Sequence, residues 1–172
     1  RDNNFLCGVV IGSKAAGVSW VDLSTGAFFA TEVPPDGVID LLARVDPAEL
    51  LLPDSSRDAH GPYRDLRAQL PRPTSTFPDW MFDADEGVRV LREHFRVRTL
   101  DGFGIGELRG GVGAAGAVLK YLQDTQKGRV EHIIAIRQPD FGRQVVLDRV
   151  TRASLELVRT LRDGTREGSV LS

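Results

Sequence analysis

A single cysteine, Cys7, stands in a chain of 172 residues. One thiol cannot form an internal disulfide, so the fold must rest on its apolar core, as suits a reducing compartment. Cys7 lies inside an apolar run and reads as a small core residue, not a nucleophile. A long hydrophobic run is also missing. Nothing approaches the roughly 20 apolar residues of a membrane span, and no signal pattern opens the chain. The expected location is cytoplasmic, with no membrane partner. Positive charge is not in excess either: 22 Lys and Arg against 24 Asp and Glu leave a formal net charge of −2. A domain that holds nucleic acid unaided usually carries a basic footprint, and this chain does not.

Familiar chemical motifs are absent as well. His60, His94 and His132 are far apart, with no Cys or carboxylate at ligand spacing, which argues against a zinc site. Gly102-Phe103-Gly104-Ile105-Gly106 has no glycine at the sixth position of a dinucleotide fingerprint, and no Gly-Lys-Ser/Thr follows as a phosphate loop requires. It reads as a structural turn. Ser24 lacks the Gly-x-Ser-x-Gly elbow of serine hydrolases. No catalytic, cofactor-binding or metal-binding residue is assigned.

What is present is a 41% hydrophobic sequence, enough for one sizeable core. The stretch Val18 to Val33 holds two runs rich in β-branched and aromatic residues around Asp22-Leu23-Ser24-Thr25-Gly26. Such residues fit a pleated surface. Asp22 and Ser24 can bond nearby amides, and Gly26 can take positive φ. This predicts an antiparallel hairpin. Phe5 to Ile11 is a continuous apolar run and predicts a strand before it. Pro34-Pro35 ends the third strand, and Asp36 is placed to cap a helix through Arg44. Ala48 to Leu52 is a fourth strand, reached by a helical crossover that allows parallel pairing. A short helix over Pro62 to Leu70 and a short strand over Thr74 to Phe77 follow. The spacing of Val88, Leu91 and Phe95 predicts a helix over Asp83 to Phe95, and Leu108, Val112, Ala115, Leu119 and Leu122 predict one over Glu107 to Asp124. The glycines of this last helix suit close approach to a neighbour. Ile133 to Gln144 shows no period and reads as an extended surface linker. Asp148 then opens an amphipathic helix carrying Val150, Ala153, Leu157 and Leu161, whose apolar stripe finds no partner in this chain. The chain starts without Met and reads as a piece of something longer.

The fold class is therefore α/β: three antiparallel strands, then α-β-α-β-α, the order of a ribonuclease H-like mixed sheet, followed by a linker and one helix of a second unit. Nucleases of that fold gather carboxylates around two metal ions. Here the first strand carries no acid. A magnesium-dependent nuclease built on Asp22, Asp40 and Glu49 is one rival reading, and an interaction domain of an unrelated multidomain protein is another.

Three stretches together resemble the MutS family of mismatch-repair proteins. The first is Val21-Asp22-Leu23-Ser24-Thr25-Gly26 with Phe28 and Thr31, then Pro47-Ala48-Glu49-Leu50-Leu51-Leu52-Pro53. The second is Leu100-Asp101-Gly102-Phe103-Gly104, then Ala114-Ala115-Gly116-Ala117 and Tyr121-Leu122-Gln123-Asp124-Thr125-Gln126-Lys127. The third is Leu147-Asp148, Thr151-Arg152, Leu155-Glu156-Leu157 and Gly168-Ser169-Val170-Leu171. The resemblance implies an internal fragment. Residues 1–125 would be the connector domain, and residues 126–172 the linker and first helix of the core, or lever, domain. It implies no enzymatic activity in this piece. ATP and Mg would be handled by the full-length parent, whose partners are MutL, mismatched DNA and a second MutS subunit. If the connector docks MutL, the outer side of the 83–95 helix offers Arg89, Arg92 and Glu93, which lie off its apolar stripe.

Overall fold

The computed structural model describes residues 4–125 and 130–140. Three strands come first: β1 (Phe5–Ile11), β2 (Ala16–Asp22) and β3 (Phe28–Val33). Helix α1 (Val38–Val45) leads to β4 (Glu49–Pro53), and α2 (Arg64–Gln69) leads to β5 (Thr74–Phe77). Helices α3 (Ala84–Phe95) and α4 (Arg109–Thr125) follow. The five strands form one sheet in the order β3-β2-β1-β4-β5. β1 pairs antiparallel with β2 and parallel with β4, and β4 pairs parallel with β5. The chain is thus mixed α/β. Among the described residues no helix is long and apolar enough to cross a membrane.

The hairpin forms as its residues dictate. Gly26 takes φ +82, and its N–H donates to the Asp22 carbonyl at 2.8 Å. The cap expected from Asp36 is corrected. Pro35–Gly37 form a short 3-10 turn, α1 opens after Gly37, and no side chain caps it. Proline fixes φ near its helical value and lacks an N–H, so it starts the tight turn one residue before Asp36 could act.

Strand alternation sends Leu6, Val21, Phe28, Ala30 and Leu51 to one face, where α4 supplies Val112, Ala115, Val118 and Leu119 to the same buried cluster. Cys7, Val9, Trp20, Leu50 and Leu52 alternate to the other face and are buried too, as is the inner stripe of α1, Val38, Leu41, Leu42 and Val45. Burial pushes the Cys7 thiol far up, so it stays protonated and inert.

Helix α4 is buried on nearly every side: 10 of its 17 residues are inaccessible. Glycines on both sides of it allow this. A Cβ on Gly17 of β2 would fall on the Gly110 carbonyl and stand 2.6 Å from the Gly111 nitrogen. A Cβ on Gly87 of α3 would strike the Val112 carbonyl, and one on Gly116 would strike the Gly87 Cα. Backbone therefore meets backbone, both between sheet and helix and between α3 and α4. The expected stripe of α3, Val88, Leu91 and Phe95, does pack on the core, and the close approach adds Gly87 and Val90 to it. Its buried residues are Gly87, Val90 and Leu91, while Val88 and Phe95 are half-buried at the rim.

Residues 130–138 correct the expectation of a surface linker from Ile133. They run without helix or strand, yet Ile133 and Ile136 are 2% and 1% exposed and join the cluster under α4. The Arg137 carbonyl accepts from Ala30 N–H at 3.0 Å, and Arg137 N–H donates to the Phe28 carbonyl at 3.2 Å. The segment so straps the outer edge of β3, with Arg137 lying 5.1 Å from the Phe29 ring centroid. The described residues up to Gln138 form one compact unit. The helix expected from Asp148 lies outside the described residues.

Candidate functional site

The outer face of α3 carries the three residues singled out from the sequence. Asp85 and Glu86 in the first turn and Arg92 and His94 in the last complement the helix dipole. Arg96 closes the helix in the left-handed conformation, φ 57. With Gly87, Val90 and Leu91 turned inward, Arg89, Arg92 and Glu93 point to solvent. Arg89 donates twice to Glu86, Nη2 to Oε2 at 2.5 Å and Nε to Oε1 at 3.2 Å, and its Nη1 donates to Glu93 Oε2 at 3.2 Å. The Arg89 hydrogen bond holds the Glu86 carboxyl below the usual range, and Glu86 in turn raises the guanidinium. Arg89, Arg92 and Glu93 line one surface hollow of about 430 Å³, with Asp85, Val88 and Val97. Glu86, the stronger partner of Arg89, was not expected, although its spacing of three residues is the ordinary signal for such a pair.

The carboxylates of the nuclease reading stand apart in role and place. Asp40 is exposed on α1. Glu49 Oε2 accepts from Tyr121 Oη and Ser75 Oγ, both at 3.0 Å, which joins β4 and β5 to α4. Asp22 Oδ1 accepts from Ser24 N–H at 2.9 Å and Ser24 Oγ at 2.7 Å, so it is spent on its own turn. Among the described residues no group of three or more His, Cys, Asp or Glu that could hold a metal comes together. The histidines act singly. His94 Nε2 lies 2.7 Å from the Ile133 carbonyl, and His132 Nε2 lies 3.1 Å from the Leu23 carbonyl. The start of α4 has its own carboxylate, since Gly110 N–H donates to Glu32 Oε2 at 2.7 Å.

The Asp22 turn gives a pH prediction. The Ser24 hydroxyl, aided by the nearby amides, lowers the Asp22 carboxyl from its ordinary 3.8. A depressed folded value means that this contribution is complete above 3.8 and is lost as pH falls through the lowered folded value. Asp22→Ala should cost about 1 kcal/mol at neutral pH and flatten the acid limb of a stability-versus-pH curve measured by urea unfolding. An acid limb as steep as that of the parent would show that the turn carboxylate contributes nothing.

Comparison with known proteins places this geometry. Residues 4–134 match the family described as MutS domain II. The chain is 36% identical over 170 residues to the DNA mismatch repair protein MutS of Lachnoclostridium phytofermentans, covering 98% of this chain and 18% of that protein. It is 36% identical over 179 residues to the MutS of Chlorobaculum parvum, covering 99% and 20%. Against the MutS of Myxococcus xanthus the identity is 39% over 174 residues, covering 98% and 19%. The chain thus spans about a fifth of the length of these relatives.

Proposed function

This chain belongs to the MutS family of DNA mismatch repair proteins, and from that premise we propose that it is the connector segment of a mismatch repair ATPase. In this reading it couples the part that reads mispaired DNA to the ATPase and clamp parts, and helps dock MutL. Its fold is ribonuclease H-like, a reading supported by the strand order β3-β2-β1-β4-β5. It performs no catalysis itself. ATP, Mg, mismatched DNA and the second subunit are handled mainly by other parts of a cytoplasmic parent.

The observation that carries the docking face is the fixed Arg89. A guanidinium held between Glu86 and Glu93 loses little freedom on meeting a partner, so less of the binding energy is spent on ordering it. The companion cation, Arg92, lines the same hollow. Arg89→Glu with Arg92→Glu, placed in the full-length parent, should weaken MutL capture by about tenfold or more, as charge reversal in an interface costs more than charge removal. The thermal midpoint should fall only slightly, because the exposed pairs of Arg89 with Glu86 and Glu93 give way to like-charge contacts that cost about 0.5 kcal/mol each. Unchanged capture by a folded double variant would remove this face from the reading.

A further inference from the structure

A second surface lies on elements that share no residue with α3. β5 is the last strand of the sheet, and among the described residues no strand pairs with its outer side. Leu50 N–H donates to the Pro73 carbonyl, so positions 73, 75 and 77 turn their backbone groups toward β4. By alternation the N–H and C=O of Thr74 and Thr76 point outward. Along this edge runs a groove of about 920 Å³, floored by Leu70 and rimmed by Arg57, Arg67 and Arg72.

Two of the rim arginines have no carboxylate partner among the described residues. Arg72 pairs with Asp46 at 3.0 Å. Arg57 instead donates to Thr76 Oγ1 at 2.8 Å, and Arg67 to Ser56 Oγ at 3.1 Å. A hydroxyl orients a guanidinium without neutralising it. Ser56 is itself buried, which fixes the aim of Arg67.

We propose that the open edge of β5 docks an extended acidic peptide from a partner protein, which adds as a sixth strand and lays carboxylates against Arg57 and Arg67. Strand addition supplies main-chain hydrogen bonds, and the pockets read every second side chain. Alternate residues of a strand are roughly 7 Å apart on one face, so the fitting sequence has acids at alternate positions, with the strand-forming apolar residues between them turned to the opposite face. A nucleic-acid backbone fits less well. Its affinity grows with the number of phosphates neutralised, and the two guanidiniums of Arg57 and Arg67 supply little of that.

The test uses the 172-residue chain and a blocked hexapeptide of alternating Glu and Val, followed by titration and amide hydrogen exchange. The expected result is saturable binding at millimolar peptide or below, with new protection at Thr74 and Thr76. Arg57→Glu with Arg67→Glu should weaken binding by about tenfold or more. Thr76→Pro removes an outward donor, together with the hydroxyl that orients Arg57, without touching the β4 ladder, and should abolish the new protection at Thr74 while the domain stays folded. Absence of binding overturns the proposal, as does binding that both variants leave unaltered. So does a short DNA duplex that displaces the peptide and is itself weakened by the arginine reversals, which would mark a nucleic-acid surface. Protection at Thr74 and Thr76 that rises with protein concentration alone would assign the edge to a second copy and overturn it equally.

Discussion

Replacing Gly17 by alanine should destabilise the protein by about 3 kcal/mol or more, seen as a large fall in the urea midpoint. On chain entropy alone the change would stabilise, since a Gly-to-Ala substitution usually contributes up to about 1 kcal/mol by restricting the unfolded state. Space decides otherwise. The added methyl would overlap the Gly110 carbonyl and sit 2.6 Å from the Gly111 nitrogen. Neither group belongs to a flexible side chain, so relief requires β2 and α4 to part along their length. Forced overpacking commonly costs about 1–3 kcal/mol, and the rigid partner places this case at the upper end. Gly102→Ala is the control. Nothing lies within 4 Å of its added Cβ, so its midpoint should move by no more than about 0.5 kcal/mol. Equal midpoints for the two variants would mean that the sheet and α4 do not meet through Gly17.

The second large effect is expected at the strap. Ile133→Ala with Ile136→Ala should remove about 4 kcal/mol or more, because each deletes most of a buried side chain from a packed cluster. Ile134, 81% exposed, should tolerate the same change within about 0.5 kcal/mol. Exchange at one amide separates two ways of failing. Ala30 N–H is bonded to the Arg137 carbonyl. If the strap alone releases, Ala30 exchanges faster while the amides of α4 stay protected. If the unit unfolds as a whole, all accelerate together. Stability equal to that of the parent would return residues 133–138 to the status of a surface linker.

The strands were legible because their apolar and β-branched runs are long, and the hairpin because Asp22, Ser24 and Gly26 each have a stated reason to sit in a turn. The small residues of α4 were read correctly as a close-packing face. The stripe of α3 was legible as Val88, Leu91 and Phe95, but its closest contact, at Gly87, was not, because Gly87 has no side chain to count. Ile133 and Ile136 leave no signal in the sequence, because a strap fastened by two isolated anchors and one bridge produces no period. At the candidate site, Arg89 and Glu93 were legible from helical spacing. The groove beside β5 was not, since Arg57 ends a 3-10 turn, Arg67 sits on α2 and Arg72 precedes β5, and they meet only once the sheet has formed.

The glycine contacts around α4 bear on how the unit yields to force. Side chains between two helices give way by changing rotamer, so a push on one is partly absorbed before it reaches the other. Where main chain rests on main chain, as at Gly87 with Gly116 and at Gly17 with Gly110, that slack is gone. In the coupling role proposed above, a displacement applied to α3 would therefore be passed to α4 and β2 through backbone contacts, not absorbed by side chains.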